Sequence, residues 1–237
     1  MSATGPDHSS RADDEPFGEA TLPLARRAGG SLLDALLADT QSLRPLDGGE
    51  APLRPPTAPA LGFAPELLLR AFEVRLLILD VDGVLTDRRL YYGADGEALK
   101  VFDVQDGHGI KRVQQAGVEV AIISGRSSPM VERRARDLGI RHCIQGREDK
   151  LPVALDLLAT LGLGWQQAAM VGDDWPDAPL LRRVALALAP ADAHAEIRAL
   201  VDWVLPEPGG RGAVRSACDL LQFARRRYLE HWREAQA

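Results

Sequence analysis

The sequence is poor in lysine, aromatic residues and cysteine, and it holds no long apolar run. Only three of its 28 basic residues are lysines (Lys100, Lys111 and Lys150), and Phe, Trp and Tyr together make up 5% of the 237 residues. The two cysteines, Cys143 and Cys218, form no CxxC or Cys/His spacing, which argues against a zinc site and against a disulfide framework. No stretch approaches the roughly 20 apolar residues that a membrane helix needs. The N-terminal MSATGPDHSSRADDEPF lacks the basic-then-apolar order of a secretory signal. A cytoplasmic protein with no membrane partner is therefore expected. Positive charge is also short: the formal net charge is -6, which argues against nucleic acid as a partner, since phosphate backbones are held by basic surfaces.

What is present is unevenly distributed. Nine of the 16 prolines fall in residues 1–72, a stretch without Trp, Tyr, Cys or Lys. This composition predicts a disordered or loosely structured N-terminal extension, interrupted by a short amphipathic helix in SLLDALLADT. From residue 73 apolar strand runs alternate with amphipathic helices. The expected order is a strand over 74–84, a hairpin over 89–103, then helix 107–116, strand 118–124, helix 128–138, strand 140–145, helix 149–161, strand 168–172, helix 177–183, strand 185–189, helix 192–200, strand 202–205 and helix 213–231. Strict alternation implies right-handed crossovers and a parallel sheet covered on both faces, a Rossmann-like three-layer α/β domain over 73–237.

In such a sheet ligands bind beyond the carboxyl ends of the strands. The first strand delivers Asp80 and Asp82 in DVDGVLTD, the second Ser124 and Arg126 in IISGR, and the fourth Asp173, Asp174 and Asp177 in VGDDWPD; Lys150 opens the helix after the third. Singly, a strand-end Asp or Ser is often a helix cap and a lysine is often solvated. Their joint occurrence in this order is harder to obtain from structure alone. So many carboxylates would raise one another's pKa without a cation, which implies a hard divalent ion, and Mg2+ suits a few carboxylates plus a substrate phosphate. Asp80 is then a candidate nucleophile toward phosphorus and Asp82 a candidate acid and base. Ser124 and Lys150 would hold the phosphoryl oxygens.

DVDGVLTD, SGR, Lys150 and GDDWPD resemble, in order, the four motifs of the haloacid dehalogenase superfamily of phosphohydrolases, over about residues 74–220. That resemblance implies Asp80, Asp82 (through its carbonyl) and Asp173 as metal ligands, with Asp174 or Asp177 behind them, partnering metal waters or Lys150. Neither gap between motifs has room for a cap domain. Together with FDVQDGHGIK, GVEVAIISGRSSPMVERRARDLGI and GGRGAVRSACDLL, this resembles the capless subgroup that includes the phosphatases of 3-deoxy-D-manno-octulosonate 8-phosphate. The resemblance further implies a homotetramer assembled through the hairpin. Arg126 and His108 become candidates for the sugar acid, and Arg211 and Arg215 for contacts across the interface. Phosphatases of nine-carbon sugar acid phosphates share every catalytic motif. A response-regulator receiver also joins acids, a hydroxyl and a lysine, but its phosphorylated Asp lies at the third strand, where this chain has QGRED. The basic ARRRYLEHWRE could suggest an RNA contact, yet its charges alternate in sign as on a solvated helix.

Overall fold

In the computed structural model, residues 60–236 are described. The short helix expected in SLLDALLADT lies outside them. Helix α1 (Pro65–Phe72) precedes strand β1 (Leu76–Leu79), and a hairpin follows, β2 (Tyr91–Gly93) and β3 (Gly96–Leu99). Next come α2 (Val104–Gln115), β4 (Glu119–Ile123), α3 (Pro129–Leu138), β5 (His142–Ile144), α4 (Lys150–Leu161) and β6 (Ala168–Val171). The chain ends through α5 (Ala178–Leu181), β7 (Leu186–Ala189), α6 (Ala195–Leu200), β8 (Trp203–Val204), α7 (Ala213–Ala224) and α8 (Arg227–Glu234).

The main sheet is entirely parallel, in the order β5-β4-β1-β6-β7-β8. All four residues of β1 are buried because its two faces serve two cores. Leu77 and Leu79 join Val120, Ile122 and the buried side of α2, α3 and α7, while Leu76 and Ile78 join Ala121, Ile123, Met170 and the helices α4, α5 and α6. A strand buried on both faces reads as a continuous apolar run, which is why LLIL shows no alternation. The chain runs from β1 outward through β4 to β5 and then returns to β6 on the other side of β1. This reversal opens a crevice at the carboxyl end of β1.

Three expectations are corrected. The strand foreseen over 74–84 ends at Leu79, because the following residues turn back on the carbonyl of Val81: the N–H groups of Val84, Leu85 and Thr86 all donate to it, at 3.3, 3.0 and 3.0 Å. The helix foreseen over 213–231 breaks at Arg225–Arg226. There the Arg225 guanidinium donates to the carbonyls of Ala116 (3.1 Å) and Val74, and Arg226 turns at φ 60°. Finally, α1 lies within the stretch assigned to the extension, yet Ala71 is fully buried in the core, and Phe63 meets Trp203 and Phe223 edge-on at 5.7 and 5.4 Å. The packed domain therefore starts ahead of residue 73. Between β1 and β4 stand only the hairpin and α2, and between β4 and α4 only one helix–strand unit, so no cap domain is inserted.

Candidate active site

The loops after β1, β4 and β6 and the start of α4 surround one cavity of about 450 Å³. Asp80 extends β1, its N–H donating to the Val171 carbonyl at 3.1 Å, so the ladder to β6 fixes its backbone. The turn behind it is closed by Thr86, whose buried hydroxyl donates to the Val81 carbonyl at 3.2 Å. Gly83 is required within this turn: φ is 103°, and a Cβ would lie 2.0 Å from Asp173 Oδ2. Gly209 is equally constrained, since a Cβ there would fall 1.8 Å from the Gly83 carbonyl oxygen. The GGRG segment is thus pressed onto the loop that carries Asp80 and Asp82.

Lys150 opens α4, capped by the Asp149 side chain, and its side chain is 3% exposed. Its ammonium lies 2.7 Å from Asp80 Oδ1 and 2.6 Å from Asp177 Oδ1. The other oxygen of Asp177 accepts from the N–H groups of Asp173 (2.9 Å) and Asp174 (3.4 Å), so this buried carboxylate ties the lysine to the loop after β6. Ser124, also buried, closes β4 and accepts the Arg126 N–H at 3.3 Å.

Carboxylate oxygens of Asp80, Asp173 and Asp177 lie within 4.8 Å of one another. Burial, then the charge of Asp177, pushes Asp80 up to about 6 despite Lys150. Burial, then Asp80, Asp177 and Asp174, pushes Asp173 up to about 8, with Arg88 opposing. Burial works against the Lys150 ammonium, but Asp80 and Asp177 outweigh it and hold its pKa above the ordinary value. One ammonium is too little charge for three buried carboxylates. An all-oxygen, acid-rich donor set of this kind fits a hard divalent cation.

A family model for haloacid dehalogenase-like hydrolases matches residues 88–184. The 3-deoxy-D-manno-octulosonate 8-phosphate phosphatase KdsC of Salmonella typhimurium is 47% identical over 161 residues, which is 68% of this chain and 86% of the relative. The chain belongs to the haloacid dehalogenase-like hydrolases. Like its KdsC relatives it is a phosphoric monoester hydrolase. Solved structures of such phosphatases share its fold, and two illustrate it. The phosphatase of Yersinia pestis has a TM-score of 0.69 at 44% identity, covering 70% of this chain and 90% of its own. That of Moraxella catarrhalis, in complex with magnesium ion, phosphate ion and KDO, has a TM-score of 0.70 at 38% identity, covering 72% and 98%.

Within this hydrolase the structure brings Asp80, Asp82, Ser124, Arg126, Lys150, Asp173, Asp174 and Asp177 to the one cavity. Of the two acids proposed to partner Lys150, Asp177 does so. Asp174 is exposed and instead accepts the Trp175 N–H at 2.8 Å, capping a short 3-10 turn. The Asp82 carboxylate turns toward the hairpin, where it pairs with Lys100 and approaches Arg126 Nε at 3.6 Å. His108, Arg211 and Arg215 do not reach the catalytic cavity. They line a second one of about 750 Å³, together with Gly212 of the GGRG segment, where Arg215 is bound to Asp219 at 2.8 Å. For His108 this corrects the expectation of contact with substrate in its own chain's cavity: it stands on α2, which packs on α7 instead of facing the strand ends.

Sequence reasoning missed Lys100, Glu97 and Arg88. Lys100 lies between Asp82 and Glu97 (3.0 Å) with its side chain 1% exposed, and the scarcity of lysine in the chain is a signal that could have singled it out. Arg88 reaches the cavity from a backbone at φ 67°, a conformation costing a non-glycine residue roughly 1–2 kcal/mol, and no sequence signal marks it.

Proposed function

We propose that the enzyme hydrolyses 3-deoxy-D-manno-octulosonate 8-phosphate to the free sugar acid and phosphate, with Mg2+, through an aspartyl-phosphate intermediate. The observation that carries this reading is Lys150, held between Asp80 and Asp177 beside Ser124 at the strand ends. Lys150 engages Asp80 Oδ1, which leaves the second oxygen to attack phosphorus in line with the leaving alcohol. The Ser124 hydroxyl and the Lys150 ammonium hold equatorial phosphoryl oxygens. Asp82 gives a proton to the leaving oxygen. It then takes one from the water that attacks phosphorus, releasing phosphate and restoring the Asp80 carboxylate.

Asp80, Asp173 and the Asp82 carbonyl would hold the Mg2+, with Asp177 fixing the Asp173 backbone behind them. The ion supplies the positive charge that this cluster and a phosphate dianion require. The KDO-bound relative supports the eight-carbon substrate. Arg126, whose guanidinium stands at the cavity rim, is placed to contact the sugar. Without a cap, a second chain is needed to cover the site. Leu90, Tyr92, Leu99 and Val101 on and beside the hairpin are 42%, 65%, 45% and 51% exposed, which supports assembly of a homotetramer through it, with Arg211 and Arg215 near the interface. The proposed setting is cytoplasmic synthesis of lipopolysaccharide precursors. Among the described residues no helix is long and apolar enough to cross a membrane.

The test is phosphate release from a panel of sugar acid phosphates with and without Mg2+. The eight-carbon ester should be turned over and the nine-carbon one left. Equal rates on both, or full activity in excess EDTA, would overturn the reading.

A further inference from the structure

The cavity has three cationic side chains, and they are not equally neutralised. Lys150 lies between two carboxylates, Asp80 and Asp177, and Arg126 lies between Asp82 (3.6 Å) and Glu97 (3.4 Å). Arg88 has one carboxylate at hydrogen-bonding distance, Asp192 at 2.8 Å, also donates to the Asp192 main-chain carbonyl, and otherwise feels only the more distant charge of Asp173. Its remaining donors, Nε among them, have no partner among the described residues, and its side chain is 45% exposed. The stem of Arg88 passes close over Gly83: the missing Cβ of that glycine would lie 2.7 Å from Arg88 Cγ and 2.0 Å from Asp173 Oδ2, so glycine makes room for both. Asp192 is anchored independently, since its Oδ1 accepts the Gly209 N–H at 2.9 Å. Arg88 therefore bridges the mouth of the cavity from the loop after β1 to the loop after β7, on a backbone that only a demanding position retains in a non-glycine residue.

We propose that Arg88 is a specificity residue, the arginine of the same chain that receives the carboxylate of a sugar acid phosphate while the phosphate lies on Lys150 and Ser124. The inference rests on the substrate class proposed above. The exchange is chemically even: a guanidinium already paired with one carboxylate accepts a second through its free donors, or trades Asp192 for it, and no charge is buried unpaired. Asp192 keeps its bond to Gly209 in either case. The arginine thus selects for the acid without touching the phosphorus.

The experiment compares wild type with Arg88→Gly, which suits the positive φ, and Arg88→Lys, which keeps charge but not the planar fork. Three quantities are measured: kcat and KM for 3-deoxy-D-manno-octulosonate 8-phosphate, the competitive Ki of the free sugar acid, and the Ki of inorganic phosphate. Arg88→Gly should raise KM and the sugar-acid Ki about tenfold, the scale of one lost charge-assisted contact, with kcat and the phosphate Ki unchanged. Arg88→Lys should fall between the two. If the sugar-acid Ki stays constant, or if it moves in step with the phosphate Ki, Arg88 is only a clasp on Asp192 and the proposal fails. A wild type that neither hydrolyses the ester nor is inhibited by the free sugar acid would overturn the substrate reading together with the proposal. Inhibition unaltered in Arg88→Gly overturns the arginine's role alone.

Discussion

In metal-free protein, Asp173 should set how stability responds to pH. Its ordinary pKa is 3.8, and in the fold it lies at about 8, raised first by burial and then by Asp80, Asp177 and Asp174. Between these values the folded carboxyl keeps a proton that the unfolded chain has released. Its contribution is therefore fully present below about pH 4 and is lost as the pH rises toward 8. One such group gives a slope of about 1.4 kcal/mol per pH unit, and across the interval the loss is on the order of 5 kcal/mol. Asp80, displaced to about 6, adds a loss of the same sign below that pH. A divalent cation binds only the ionised carboxylates, so the stabilisation it gives should grow with pH.

The assay is thermal unfolding in EDTA from about pH 5 to pH 8, for wild type and Asp173→Asn, each repeated with excess Mg2+. Asparagine has the same size and cannot ionise, so the variant's curve lacks the Asp173 contribution to the slope and keeps that of Asp80. At pH 8 the metal-free variant should exceed wild type by on the order of 10 °C, since 1 kcal/mol is about 2–4 °C in a domain of this size, and the gap should close toward pH 5. Added Mg2+ should reverse the order at pH 8. Wild-type and variant curves that run parallel in EDTA, or Mg2+ stabilisation that does not rise with pH, would refute the account of this cluster.

Asp80→Asn should lower turnover by at least roughly 10³-fold while the protein still folds, as checked by phosphate release beside circular dichroism. Lys150→Met leaves Asp80 and Asp177 buried without their shared cation, and should cost about 3–5 kcal/mol in urea unfolding; a change under 1 kcal/mol would contradict the pairing. Deleting residues 1–59 should preserve both turnover and oligomer mass. Extending the deletion through residue 72 removes Ala71 from the core and Phe63 from Trp203 and Phe223, and should cost several kcal/mol by the same measurement.

Much of this fold was legible because strands buried on both faces and helices buried on one leave different periods in the sequence. The β4 and β6 runs were placed to within a residue at each end, while β1 was found but foreseen too long, its acids lying in the turn after it. What was not legible follows from the direction of side chains. DVD shows two acids two residues apart, but not that Asp82 turns toward Lys100 on the hairpin while Asp80 faces Lys150. His108 looked like a substrate contact, yet it stands on α2 and lines the other cavity, a matter of how that helix packs on α7. Helix α1 was hidden by the proline-rich stretch that precedes it. PELLLRAF, with Pro65 in its first turn, reads as helix only once α7 supplies a surface for it.

The shortage of lysine acquires a physical reason in this setting. Arginine serves on the surface, as in the helix pairs Arg133–Asp137 and Arg136–Glu132. Of the three lysines, Lys111 is exposed, but Lys100 and Lys150 have side chains 1% and 3% exposed and each lies between two carboxylates of the site. An ammonium is a compact charge with donors in several directions, so it can sit at 2.7 and 2.6 Å from two acids at once, whereas a planar guanidinium needs its partners along its edges and more room. A Lys150→Arg substitution should therefore behave as a disruption in spite of its conserved charge. It should displace either Asp80 or Asp177 and reduce kcat by roughly 10²-fold, the scale of a misplaced reacting group. Near-normal turnover in that variant would show that charge alone, and not the geometry of the ammonium, is what the site requires at this position.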